Sequence, residues 1–156
     1  MPPSSLTPVS LATAIGAAIA RWQDATQLFD DEVGERLGLS RSERQCLACI
    51  AFGARPAREI ADATRLTRAA VTTLIDRLEA RGLVKRSHDD TDRRQIRVAL
   101  TPKAERLTAQ FYGPIAEEGA RWLATFSPDE LTTILKFVDG ASALQMSHID
   151  RIRRRP

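Results

Sequence analysis

The sequence predicts a mainly α protein with a small β-hairpin wing (α+β), and three observations predict it. Apolar residues recur every three or four positions through most of the chain. Serine and threonine caps with glycine terminators cut that pattern into six helices. After Gly82 alone, the period falls from 3.6 to 2.

The first helix runs from Leu11 to about Glu35, with Leu11, Ile15, Ala18, Ile19, Trp22, Ala25, Leu28, Phe29 and Val33 at helical spacing, and stops near Gly38. Ser40 with Glu43 forms a capping box for a second helix reaching about Phe52, closed by Gly53. Pro56 suits the first turn of a short third helix that turns Ile60 and Ala61 inward and ends near Thr64. Thr67 caps a fourth over 68–81, which carries Val71, Leu74, Ile75 and Leu78 on one stripe. Arg68, Ala69, Thr72, Thr73, Asp76 and Arg77 take the other, and Gly82 ends the helix. So short a link between the third and fourth helices makes a helix-turn-helix.

Two alternating segments follow, 83–88 and 95–100, joined by a polar tip at 89–94; Ile96, Val98 and Leu100 are expected on the face toward the helices, and Gln95, Arg97 and Ala99 on the other. A helix-turn-helix followed by such a hairpin is a winged helix-turn-helix. Thr101-Pro102 opens a helix toward Phe126 with a kink expected at Gly113-Pro114. Ser127-Pro128-Asp129-Glu130 caps the last helix, whose apolar residues include Leu131, Ile134, Leu135, Val138 and Leu144.

Composition bounds the function. With 156 residues, 43% hydrophobic and 28% charged, the chain is long enough to fold without metal or disulfides. Its two cysteines, Cys46 and Cys49, make no disulfide framework and point to a reducing cytoplasm. The ten residues before the apolar run 11–20 lack the basic start of a secretory signal, and the absence of about 18 successive uncharged apolar residues predicts no membrane span. Residues 1–54 hold 4 basic and 6 acidic side chains, 55–106 hold 13 and 8, and 107–156 hold 6 and 6. The positive charge is therefore central, as suits a middle segment that faces a polyanion.

The chain is read as a single domain over 1–156. A core at 39–106 is flanked by helices at 1–38 and 107–156, whose apolar stripes find no other core in the sequence and are expected to interleave in a homodimer. Packing of these helices within one chain is the alternative.

Residues 39–106 resemble the multiple antibiotic resistance regulator (MarR) family of winged-helix transcription factors, and the flanking helices are similar to its dimerisation arms. The resemblance is carried by Asp92-Arg93-Arg94-Gln95-Ile96-Arg97-Val98-Ala99-Leu100-Thr101, which fits the family's D-x-R and alternating strand, and by the stretch 66–84. It implies that the exposed face of the fourth helix enters the major groove of double-stranded DNA while Asp92 and Arg94 bring the wing tip to a minor groove. The DNA-contacting residues on this reading are Arg65, Thr67, Arg68, Ala69, Thr72, Thr73, Arg77, Asp92, Arg93 and Arg94. The chain departs from the family at Arg65, where glycine is usual, so a positive φ is expected there.

The resemblance further implies a repressor released from a palindromic operator by a small aromatic effector, held near Trp22, Phe29, Phe111, Tyr112 and Trp122. A winged helix used only to bind protein, or a thiol sensor built on Cys46 and Cys49, are the other readings. No nucleophile–base set, phosphate-cradling loop or four-ligand metal cluster is present, which predicts no enzyme, no metal and no cofactor.

Overall fold

The computed structural model describes residues 7–88 and 95–154. Its elements follow the order α1 (Pro8–Leu37), α2 (Arg41–Cys49), β1 (Arg55–Pro56), α3 (Ala57–Thr64), α4 (Arg68–Ala80), β2 (Val84–His88), β3 (Ile96–Leu100), α5 (Pro102–Leu123) and α6 (Pro128–Arg153). Contacts group them into two compact units, Met1–Leu107 and Thr108–Pro156.

Local chemistry sets most boundaries. The Thr7 hydroxyl accepts from the Ser10 N–H and Pro8 takes the first turn, so α1 begins three residues before the expected Leu11. It ends at Gly38 (φ 57°), where the Leu39 N–H reaches back to the Gly34 carbonyl (2.8 Å). The same motif closes α4: Gly82 (φ 69°) lets the Leu83 N–H reach the Leu78 carbonyl at 2.9 Å. Ser40 with Glu43 and Ser127 with Glu130 form complete capping boxes.

Several expectations are corrected. Helix α2 stops at Cys49 rather than near Phe52, because the chain tightens into i→i+3 turns, Ala51 N–H to Ala48 and Gly53 N–H to Ile50. Pro56 precedes α3 instead of entering it, and with Arg55 forms the short strand β1. The hairpin is thus part of a three-stranded antiparallel sheet in the order β1-β3-β2, with Arg55 opposite Val98 and Arg86 also opposite Val98 on the other side. Ile96 is 52% exposed, since it pairs with His88 at the tip end of the ladder, while Val98 is buried and Leu100 packs against the core. Arg97 turns back to donate to the Ala54 carbonyl (3.1 Å) rather than facing solvent. Helix α5 runs unbroken through Pro114 and ends at Leu123.

The core of the first unit comprises Cys46, Ile50, Ile60, Val71, Leu74, Ile75, Leu78, Leu83, Val84, Val98 and Ala104. Four of these come from α4, so the helix is seated by one face and shows the other to solvent. Helix α1 is held to α2 by Arg44, which crosses Gly34 to donate to the Asp30 carbonyl and the Asp31 carboxylate. A side chain at Gly34 would meet the Arg44 guanidinium at 2.6 Å. Hydrogen bonds from Arg44 and Gln27 hold the Asp31 carboxyl below its usual range.

Arg65 ends α3 in the left-handed region, at φ 56° and ψ 31°. A side chain with a Cβ is strained there by roughly 1–2 kcal/mol, which glycine avoids while losing more chain entropy on folding. Arg65→Gly is therefore expected to stabilise the protein by up to about 1 kcal/mol, read as a rise of about 2–4 °C in a thermal melt. A lower Tm would show that the Arg65 side chain stabilises the turn by more than its backbone strain.

Candidate nucleic-acid interface

The turn between α3 and α4 aims the site. Leu66 packs against the core and anchors it, while Arg65 and Thr67 are exposed on either side. The Thr67 hydroxyl accepts from the Ala70 N–H at 3.3 Å, which fixes where α4 starts. From that cap the periodicity brings Arg68, Ala69, Thr72, Thr73, Asp76 and Arg77 to the surface, opposite buried Val71, Leu74, Ile75 and Leu78. All seven predicted contact residues of the turn and helix are exposed on this one segment.

The two threonines on that face have a defined polarity. Thr72 Oγ1 donates to the Arg68 carbonyl (3.0 Å) and Thr73 Oγ1 to the Ala69 carbonyl (3.2 Å). Their protons are thus directed into the helix, leaving methyls and oxygen lone pairs outward. Such a face accepts from adenine or cytosine amino groups or packs on a thymine methyl.

Three side chains that sequence reasoning missed hold α4 in place. Arg81 donates from Nη2 to the Leu37 carbonyl (2.7 Å) and from Nη1 to the Gly38 carbonyl (2.9 Å), so it closes the C-terminal end of α1, where a cation is favoured. Lys103, at the start of α5, donates to the Arg81 carbonyl at 2.8 Å. Arg86 on β2 pairs with Asp76 (2.5 Å) and with Glu79 on α4. Burial opposes the charge of Arg86, but the two carboxylates outweigh it and raise its pKa. The only hint in the sequence was the spacing of Asp76 and Glu79, one helical turn apart.

The wing residues Asp92, Arg93 and Arg94 lie outside the described residues. Of the aromatic set, Trp22 and Phe29 stand on α1 in the first unit, Trp22 being 64% exposed. Phe111, Tyr112 and Trp122 stand on α5 in the second unit, where the Trp122 ring meets Phe126 edge-on at 5.3 Å.

Cys46 is fully buried and its thiol is pushed up to about 12 by burial and by the nearby Cys49 and Glu43. Burial also raises Cys49, against the pull of Arg55. A reactive thiol needs the reverse environment, exposed and electropositive. Among the described residues, no group of three or more His, Cys, Asp and Glu side chains is placed to hold a metal, and no helix is long and apolar enough to cross a membrane.

Residues 32–95 match the family model described as MarR family. The chain is 26% identical over 130 residues to the uncharacterized HTH-type transcriptional regulator YcgE of Bacillus subtilis, covering 83% of this chain and 84% of that protein. It is 38% identical over 72 residues to a second such regulator of the same organism, YfiV, covering 46% and 45%. Among solved structures, the YusO protein of Bacillus subtilis superposes with a TM-score of 0.57 at 23% identity, over 88% of this chain and 98% of that one. A mutant of S. aureus MepR bound to an oligodeoxyribonucleotide superposes with a TM-score of 0.53 at 19% identity, over 83% and 97%. With the winged-helix topology and the exposed α4 face in place, residues 32–95 carry the MarR family match, and the chain is similar over most of its length to an HTH-type transcriptional regulator.

Proposed function

We propose that this regulator is a cytoplasmic homodimer that reads a near-palindromic operator with α4 and acts as a repressor released by a small aromatic effector. The observation that carries the DNA reading is the exposed row Arg65, Thr67, Arg68, Ala69, Thr72, Thr73 and Arg77, seated rigidly on a buried face of the same helix. Arg68 and Arg77 supply donors for guanine edges or phosphates, Ala69 permits close approach, and the first turn of α4 offers backbone N–H groups to a phosphate. The solved MepR complex with an oligodeoxyribonucleotide supports the same use of the fold.

The dimer reading is supported by unspent apolar surface. Helix α1 buries only Val33 and Gly34 over 30 residues, and α6 buries none over 26. Val9, Trp22, Leu28, Leu135, Phe137 and Met146 all stand exposed. Soluble helices owe their stability to a covered apolar face, and two-fold pairing with a second copy covers both at once. The effector reading is supported within the second unit, where the exposed Trp122 meets Phe126, which with Asp129, Glu130, Thr133 and Ile134 lines an open depression. An effector releases DNA only by binding the non-operator conformation more tightly.

Selection of bound duplexes from a random pool tests the reading. A palindrome with half-sites about 10–10.5 bp apart, bound with steep salt dependence, is the expected winner. Arg94→Ala, at the wing tip, is expected to weaken binding to that winner by about 1–3 kcal/mol with the dimer intact. A single unpaired half-site would remove the dimer from the mechanism, and undiminished binding by the variant would remove the wing.

A further inference from the structure

We propose that Arg86 is a positioning residue of the DNA interface, latching the first wing strand to α4 while pairing with the two carboxylates that α4 carries. The inference rests on the reading of α4 as the DNA-facing helix.

The latch has three bonds. The Arg86 guanidinium donates from Nη1 to Glu79 and from Nη2 to Asp76 Oδ1 at 2.5 Å, and the Arg86 backbone N–H donates to Glu79 Oε1 at 3.3 Å. Strand β2 is the outer strand of the order β1-β3-β2, and Arg86 stands opposite Val98. Its N–H points away from β3, where an edge strand would otherwise leave an unpaired donor. Glu79 therefore uses both carboxylate oxygens on one residue, holding its backbone and its side chain together. Val98, across the ladder, is buried in the core, so the clamped segment joins the wing base to both the sheet and α4.

Charge gives the latch a second consequence. Between Arg68 and Ala80, α4 carries Arg68 and Arg77 against Asp76 and Glu79. Alone, the helix offers a polyanion no net attraction. Arg86 offsets one of the two negative charges and pairs with both carboxylates, whose side chains stay 58% and 40% exposed. Both ends of its planar fork are already engaged, and its side chain is only 29% exposed. A phosphate would have to displace a carboxylate to reach it, so its effect on DNA passes through α4 and the wing.

A double-mutant cycle on operator binding tests this, using the full chain, with melts and light scattering to confirm that each variant is a folded dimer. Arg86→Ala is expected to lower affinity about tenfold in the natural background, and less than about threefold once Asp76→Asn and Glu79→Gln have already opened the latch. The slope of log K against log salt should stay unchanged. Equal losses in both backgrounds, with a slope shallower by about 0.9, would overturn the proposal in favour of a direct phosphate contact. Arg86→Lys keeps the charge but cannot bridge two carboxylates, so intermediate affinity is expected; full affinity would overturn the fork. Arg68→Ala and Arg77→Ala serve as the control: if neither weakens binding, the reading of α4 itself fails, whereas weakened binding beside an additive Arg86 cycle sinks only the latch.

Discussion

Replacing Leu135 and Val138 on α6 together with aspartate is expected to give a monomer whose operator affinity falls by about two to four orders of magnitude. The two side chains lie three apart on one side of α6 and are 62% and 38% exposed in the single chain. Covering a leucine or valine stabilises by about 1.5–3 kcal/mol, and a two-fold interface counts each residue twice. An aspartate at the same place loses that gain and adds the cost of removing a carboxylate from water. The reading head takes no core residue from α6, so it is expected to keep its own fold. A monomer then meets each half-site as a separate event, without the effective concentration that the second head has in the dimer. Light scattering and titrations against a full operator and an isolated half-site check this. The variant should bind the half-site as well as a single natural head does; a dimeric variant, or one that keeps full operator affinity, would refute the arm model.

The features legible in the sequence are those whose chemistry is local. Ser40 with Glu43, Thr67, and Ser127 with Glu130 each bond to a backbone group three residues away, so a cap can be read without knowing the tertiary fold. The outward face of α4 was legible because its 3.6 period sorts Leu74 from Thr73 whatever lies beneath. The strained Arg65 was legible through the resemblance instead, because the family usually places glycine at this position of the turn.

Other features depend on partners distant in sequence. Strand β1 is two residues, Arg55 and Pro56, and exists only because Val98 and Arg97 lie beside it. Ile96 obeys the alternation of its strand yet stays exposed, since the core ends one pair earlier than the pattern does. Arg81 finds its acceptors 43 and 44 residues back, at Gly38 and Leu37. Lys103 reaches 22 residues back to Arg81. In sequence, these cations are indistinguishable from those expected to meet DNA; only the fold divides them into residues that grip the scaffold and residues that face outward.

That division yields the second large effect, expected of Leu78→Ala. Leu78 is completely buried on α4, among Cys46, Ile50, Ile60 and the strand residues Val84 and Val98. Truncation loses the transfer free energy of the side chain and leaves a cavity that close-packed neighbours refill only in part, together about 2–5 kcal/mol. Against a total stability of about 5–15 kcal/mol, this is a large fraction, equivalent to a fall in Tm of roughly 4–20 °C for a chain of this length. Whatever remains folded keeps its outward arginines and threonines, so affinity per folded dimer at low temperature should change little. Arg77→Ala, the neighbouring residue on the exposed side, is expected to do the converse. Its effect on stability should stay within about 0.5 kcal/mol while operator binding weakens by about 1–3 kcal/mol. Paired denaturant melts and operator titrations separate the two. If Leu78→Ala abolished binding without lowering stability, or Arg77→Ala melted the protein without touching binding, α4 would not have one face that seats it and another that reads DNA.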